Sequence, residues 1–225
     1  MHDPAAQQDW VDFDFGITGL GASFHGDWYL TADDALDHVR AYLGAEGDPA
    51  GLVLLIEDIL LLRDSALTGD ELNLLWRATD PSGGGSPEIR GAERAWIEQL
   101  LGAVTTLARG RGASDQDCTA HPGCVPDGRT VAASQHRRLT ADVLELIDLL
   151  DQGRSDLHMP LAPTQEALRR CALTVCSELA FRFLLNALYQ SWAQLSLKSY
   201  GRIERLGTAF QYGPYVVDRL RCLTE

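Results

Sequence analysis

Residues 21–30 read Gly-Ala-Ser-Phe-His-Gly-Asp-Trp-Tyr-Leu and bring together several of the less common residue types of the chain. Two glycines, one histidine, one aspartate and three aromatic residues fall within nine positions. The glycines predict a turn. We expect Phe24 and Trp28 to anchor this turn against the helices that follow, while His25 and Asp27 form a local polar pair.

Helical patterns begin directly after this turn. Thr31 and Asp34 have the spacing of a capping box, which predicts a helix over residues 31–44. The next helix, predicted over residues 50–63, is apolar on nearly every side. A helix of that kind is buried, so we expect it to form the centre of the N-terminal core.

A second capping box, Thr68 with Glu71, opens a third helix. Strand patterns are nearly absent, and the sequence therefore predicts an all-α protein of seven to nine helices. Residues 1–20 lack clear periodicity, although apolar and polar residues alternate over residues 10–17. They form either a short extended segment or an arm that packs its aromatic side chains onto the helices. Further helices are predicted over residues 88–109, 131–152, 165–194, 197–210 and from residue 213 onward.

The sequence Pro-Ser-Gly-Gly-Gly-Ser-Pro at residues 81–87 has the composition of a flexible linker. It separates an acidic helical module, residues 1–80, from a C-terminal helical module, residues 88–225. Within the second module, residues 110–130 are predicted to be a loop. We therefore expect two packed helical modules.

Charge is distributed unevenly between these two modules. The chain has a net charge of −13, and residues 1–80 hold sixteen acidic residues against three arginines. Residues 81–225 hold sixteen of each sign. An acidic surface repels nucleic acid and anionic lipid and favours a basic partner. With no apolar leader or membrane-length segment and an odd number of cysteines, we expect a soluble, cytoplasmic protein with reduced thiols.

The string GASFHGDW at residues 21–28, followed by an acidic helix and a leucine-rich helix, resembles the N-terminal signature of contact-dependent growth inhibition immunity proteins. Members of that family read roughly Gly-Ala-Tyr-Phe-His-Gln-Asp-Trp at this point. The spacing to Leu72 and Trp76 also fits, so the resemblance covers about residues 13–79. This chain matches at Phe24, His25, Asp27 and Trp28, and it departs at Ser23 and Gly26.

The resemblance implies a protein that binds and neutralises a cognate secreted toxin domain, a class that includes basic nucleases. The chain contains no Gly-x-Ser-x-Gly motif, Walker-type loop or dinucleotide-binding fingerprint, so we expect no enzymatic activity and no cofactor. Its acidic charge leads us to expect no contact with nucleic acid or membrane. Phe24, His25, Asp27 and Trp28 are assigned to the scaffold. Because a basic toxin would be met by acidic side chains, the predicted toxin-binding residues are Asp33, Asp34, Asp37, Glu46, Asp48, Asp70 and Glu71.

Two other functions remain open at this point. His25, Asp27 and His38 offer three ligands for a metal, which would suit a metal-dependent hydrolase or a ligand-binding helical bundle. The spacing lacks the helical motifs typical of metal sites in bundles. The second alternative is a regulatory adaptor with an acidic interaction face.

Two smaller patterns also bear on chemistry. Cys118, His121 and Cys124 resemble half of a zinc site, which would need His136 or His158 as a fourth ligand, and we expect an unligated loop. The adjacent acids Glu57 and Asp58 fall within the most apolar predicted helix. They are interpreted as a polar edge beside Arg63, with an acid–base site as the alternative.

Overall fold

Helices provide the regular secondary structure of the computed structural model, which describes residues 14–46, 49–80, 85–119, 133–154 and 159–224. Within these ranges there are eleven α-helices, three 3-10 helices and no strand, apart from an isolated bridge between Leu195 and Thr224. The all-α prediction is confirmed, and the predicted number of helices is too low.

The α-helices are numbered in chain order. They are α1 (Gly16–Ala22), α2 (Ala35–Glu46), α3 (Pro49–Arg63), α4 (Gly69–Arg77), α5 (Glu93–Gly110), α6 (Asp115–Thr119), α7 (Ala133–Ile147), α8 (Leu161–Thr174), α9 (Ser177–Gln190), α10 (Leu197–Ala209) and α11 (Pro214–Asp218). The 3-10 helices are Trp28–Leu30, Asp148–Gln152 and Arg219–Leu223.

Helix α3 lies in the N-terminal core, as its composition predicts. It packs against both α1 and α5, and α2 also packs against α5. A helix enclosed in this way buries side chains around most of its circumference, which explains why it has no polar stripe. No helix in the described ranges is long and apolar enough to cross a membrane. The buried apolar residues of α3 are Leu52, Leu54, Leu55, Ile56, Ile59, Leu60 and Leu62.

The apolar core continues across the proposed linker. Helix α5, which follows the linker, packs against α2 and α3, and α4 packs against α8. Buried apolar residues from Ile17 to Leu223 belong to one cluster. Residues 81–84 lie outside the described part of the chain, and beside them the Ser86 amide donates to Asp80 Oδ2 at 2.8 Å. The division into two modules stays a prediction, while the helices on both sides share one core.

The helix predicted over residues 165–194 is two helices, α8 and α9. The amides of Val175 and Cys176 both donate to the carbonyl oxygen of Cys171, at 3.0 Å each, which ends α8. Cys176 is extended, with φ −157° and ψ 126°. The break lets α8 and α9 pack against each other. Neither glycine nor proline marks this position, so periodicity alone does not reveal it.

The N-terminal prediction is corrected for residues 16–20, which belong to helix α1 rather than to an extended segment. Residues 1–13 lie outside the described part of the chain. Helix α1 buries Ile17 and Leu20 in the core. Phe15, directly before it, makes an edge contact with Tyr212, with ring centroids 5.6 Å apart.

The first predicted capping box is also wrong. Helix α2 begins at Ala35, and Asp34 accepts a hydrogen bond from the Asp37 amide at 2.8 Å. Thr31 instead donates to the Trp28 carbonyl oxygen at 2.9 Å, closing the preceding 3-10 helix. The Thr31 and Asp34 side chains thus bond to other backbone groups than a capping box requires. Residues 31–34 connect the 3-10 helix to α2.

Two boundaries shift in the middle of the chain. Helix α5 begins at Glu93 rather than at residue 88 because Gly91 has φ +82°, a left-handed conformation that a right-handed helix excludes. In the predicted loop at residues 110–130, Asp115–Thr119 forms the short helix α6. Residues 120–130 lie outside the described ranges.

Candidate protein-interaction site

The segment at residues 21–30, called the signature turn below, runs from the end of α1 through the 3-10 helix Trp28–Leu30 and is anchored by Phe24. This side chain is fully buried. Its ring makes edge contacts with Trp28 and Trp76 at centroid distances of 5.3 and 5.7 Å. Trp76 in turn contacts Trp96 of α5 at 5.6 Å. The turn is therefore fixed to α4 and α5 through an aromatic cluster.

Trp28 provides a second anchor. Its indole Nε1 donates a hydrogen bond to the carbonyl oxygen of Gly85. Gly85 belongs to the proposed linker, so this bond ties the signature turn to the segment that leads into α5. A partly buried indole usually finds such a partner for its N–H group.

His25 and Asp27 form the expected local pair, through His25 Nδ1 and Asp27 Oδ1. Both side chains are exposed, with about two thirds of their surface accessible (64% and 67%). Exposed pairs of this kind contribute little to stability because water competes for both partners. The scaffold role assigned to these two residues stays a prediction, and their exposure makes them accessible to a partner.

His38 does not join His25 and Asp27 as a third metal ligand. Its Nε2 lies 3.1 Å from Ser23 Oγ, and Ser23 donates to the Leu20 carbonyl oxygen at 2.7 Å. Burial lowers the pKa of His38, although a hydrogen bond to the Ser23 backbone raises it, and the lowered pKa favours the neutral ring. Among the described residues, no group of three His, Cys, Asp or Glu side chains is placed to hold a metal ion. The geometry does not assemble the metal site considered from the sequence.

The predicted toxin-binding acids around α2 occupy different environments. Asp33 and Asp34 are exposed, but Asp34 also caps α2 through the bond to the Asp37 amide. Asp37 forms an ion pair with Arg40 at 2.7 Å. The Glu46 side chain and Asp48 lie outside the described part. Asp33 is therefore the acid of this group most available to a partner.

The two acids of α4 also differ. Asp70 is exposed. Glu71 completes the capping box with Thr68, as predicted, and pairs with Arg170 of α8 at 3.0 Å. Its side chain is only 14% accessible. Glu71 therefore serves the structure, and among the acids of α4 it is Asp70 that is open to a partner.

A buried charge network centred on Arg182 was not anticipated. The side chain of Arg182 is 2% accessible, and its guanidinium bonds to both oxygens of Asp58 at 2.5 and 2.8 Å. Glu178, one turn earlier on α9, accepts from the same guanidinium at 2.8 and 3.1 Å. Tyr212 donates its hydroxyl to Glu178. We call Arg182, Asp58, Glu178 and Tyr212 the Arg182 network.

The Arg182 network also holds helix α1. Asp58 accepts from the amide of Ile17 at 2.9 Å, and Arg182 donates to the Phe15 carbonyl oxygen at 3.0 Å. The guanidinium carbon lies 4.2 Å from the centroid of the Phe15 ring, a cation–π distance. Gly16, between them, has φ +59°, and a Cβ there would overlap Asp58 and approach Arg182 Nη1 at 2.8 Å. Only glycine fits this point of contact.

Electrostatics in the Arg182 network favour a charged arginine. Burial opposes that charge, but Asp58 and Glu178 more than offset it, and the pKa of Arg182 is raised well above its ordinary value. Nearby Glu57 is only partly buried. Burial, followed by the negative charges of Asp58 and Glu178, raises the pKa of Glu57 to about 7.

The interpretation of Glu57 and Asp58 as a polar edge beside Arg63 is wrong. Arg63 pairs with Asp64 at 2.6 Å, whereas Asp58 faces the interior and meets Arg182. A carboxylate in an otherwise apolar helix predicts a buried cationic partner. The identity of that partner, 124 residues away, is beyond what local patterns reveal.

The cysteine pattern yields a partial answer. Cys118, Cys171, Cys176 and Cys222 form no disulfide bond within the described part of the chain. Cys118 is buried in α6. The other residues considered for the half zinc site lie outside the described part of the chain, namely His121, Cys124, His158 and the side chain of His136. The expected unligated loop therefore stays a prediction.

No family model matches this chain, and neither a curated protein nor a solved structure does.

Proposed function

We propose that this protein is an immunity protein that binds and neutralises a cognate secreted toxin domain. The observation that carries the proposal is the signature string, in which Phe24, His25, Asp27 and Trp28 match the family pattern. The four residues divide into two anchors, Phe24 and Trp28, and an exposed polar pair. This arrangement suits a surface that is held in shape before a partner arrives, which lowers the entropy cost of binding.

Charge supports the same proposal. The net negative charge of the chain lies within residues 1–80, and Asp33 and Asp70 in that part are exposed. An acidic surface steers a basic partner and raises the association rate toward ~10⁸–10⁹ M⁻¹s⁻¹ at low salt. A basic nuclease domain would meet it with its substrate-binding groove, so binding would also block access to nucleic acid.

The proposal is tested by co-expression with the C-terminal domain encoded by the gene immediately upstream. We expect that domain alone to arrest growth, and co-expression to restore growth and give a complex that co-purifies. A complex without protection would favour an adaptor instead. If the domain is toxic and this protein neither binds it nor restores growth, the proposal is overturned for this gene pair.

A further inference from the structure

We infer that Tyr29 and Leu30 form the apolar centre of the partner-binding surface, and that the partner is a protein with an apolar pocket bordered by arginine or lysine side chains. This inference rests on the proposed function and specifies which kinds of side chain form the binding surface. Tyr29 is 63% exposed and Leu30 is 73% exposed. We call these two residues the apolar pair.

The backbone holds the apolar pair outward. Both residues lie in the 3-10 helix Trp28–Leu30, which begins where the Trp28 amide donates to the His25 carbonyl oxygen at 3.0 Å. The Leu30 amide donates to the Asp27 carbonyl oxygen at 2.9 Å. Trp28 is anchored to Gly85, so the backbone that carries Tyr29 and Leu30 is fixed at the start of this 3-10 helix. Their exposure is thus a property of a fixed turn, and they are presented to a partner at little entropy cost.

The apolar pair differs from the other exposed apolar side chains. In the described part of the chain, these are the only large exposed apolar residues that are consecutive. The others are Tyr42, Leu173, Trp192, Leu197 and Tyr215. Single exposed apolar residues are common and need no partner to explain them, whereas adjacent ones within a polar surround are typical of interaction sites.

Charge complementarity identifies the partner's chemistry. Residues 25–34 contain the acids Asp27, Asp33 and Asp34 and no lysine or arginine. All three acids are exposed, on both sides of the apolar pair in sequence. Protein interfaces place an apolar centre within a polar rim, and tyrosine is enriched among the residues that dominate binding. An acidic rim requires basic groups around the partner's pocket.

The experiment compares the double variant Tyr29→Ala/Leu30→Ala with the control Leu173→Ala/Tyr215→Ala. The control residues are similarly exposed, at 64% and 56%, on α8 and α11. The probe is the C-terminal domain encoded immediately upstream, titrated against each full-length protein. We expect the affinity of the apolar-pair variant to fall at least about 30-fold, mainly through faster dissociation, with an unchanged salt dependence. The control should bind as the unaltered protein does.

The outcomes separate this inference from the proposed function. No complex with the unaltered protein would defeat both. A complex that the apolar-pair variant keeps at full affinity would leave the proposed function standing and overturn this inference. Light scattering tests whether a second copy of this chain occupies the surface instead. If the unaltered protein dimerises, and the variant is monomeric but binds the probe normally, the surface joins copies of this chain and the inference fails. Circular dichroism and the unfolding midpoint establish that both variants fold.

Discussion

The signature turn and the Arg182 network both use acidic side chains, but they place them in opposite surroundings. Asp27 of the turn and Asp33, three residues after it, are exposed to water, whereas Asp58 and Glu178 are buried against a guanidinium. Water screens the exposed charges, so their effect on stability is small and their effect on a distant partner depends on salt. The buried charges act on each other, on the backbone that they hold and on nearby Glu57.

This difference separates binding from folding in one chain. Substitutions at the surface should change association and leave the unfolding free energy nearly constant. Substitutions in the Arg182 network should do the reverse. Each prediction below tests one side of that contrast.

The largest effect is expected from Arg182→Met. It leaves Asp58 and Glu178 buried without a cation, and breaking a buried pair in this way costs about 3–5 kcal/mol of unfolding free energy. Urea denaturation measures it. The matched control is Arg202→Met, which removes an ion pair with Glu145 at the surface and should cost less than about 1 kcal/mol. Equal losses in the two variants would contradict the contrast.

Gly16→Ala should be the next most damaging change. The alanine would have to adopt a left-handed backbone conformation, and its Cβ would overlap Asp58. We therefore expect the unfolding free energy to fall by about 2–3 kcal/mol. Gly44→Ala is the control, because Gly44 lies in helix α2 with nothing within 4 Å of the added carbon. Thermal unfolding should show a lowered midpoint for the first variant and an equal or slightly raised one for the second. A normal midpoint for Gly16→Ala would contradict the packing of α1 on the network.

A smaller effect, on binding alone, is expected from Asp33→Asn/Asp34→Asn/Asp70→Asn. Asparagine keeps the helix cap at residue 34, so the unfolding free energy should stay nearly constant. The association rate with the upstream-encoded domain should fall about 10-fold at low salt, and its salt dependence should flatten. Stopped-flow kinetics at several salt concentrations measure both. A steep salt dependence in the variant would remove these acids from the interface.

The smallest effect concerns pH. The pKa of Glu57 is raised to about 7 in the folded protein, above the ordinary value that it takes when unfolded. Its stabilising contribution is therefore present below the unfolded pKa and is lost as pH rises through about 7. Compared with Glu57→Gln, the unaltered protein should lose on the order of 1 kcal/mol between pH 5 and pH 8, after allowance for partial exposure. Parallel stability curves for the two proteins across this range would show that Glu57 is not perturbed.

Local features of the fold were predictable from the sequence. The capping box of Thr68 and Glu71 forms as expected because both of its bonds lie within four consecutive residues. The apolar composition of α3 predicts its burial for a similar reason, since periodicity needs no knowledge of distant elements. The sequence indicated Phe24 as an anchor because large aromatic side chains are often buried, but the same pattern does not separate Phe24 from Tyr29, which is exposed.

Other features depend on contacts that no local pattern contains. Thr31 and Asp34 have capping-box spacing, yet Thr31 bonds backward to Trp28, and the 3-10 helix that decides this is fixed by tertiary packing. The break between α8 and α9 carries no glycine or proline. In the candidate site, the spacing of Glu178 and Arg182 indicates a pair on one helix face. Their meeting with Asp58 emerges only from the fold.

The contacts of Arg182 with Phe15, directly before helix α1, affect how the chain folds during its synthesis. Residues 15–17 leave the ribosome long before residue 182 does. Until Arg182 is synthesised, the Asp58 carboxylate, which accepts the bond from the Ile17 amide, has no guanidinium to pair with. During that interval the first three helices lack the group that neutralises their buried acid. Contacts between such distant residues form late and slow folding. The N-terminal part of this chain therefore reaches its final form only after most of the remaining chain has been translated.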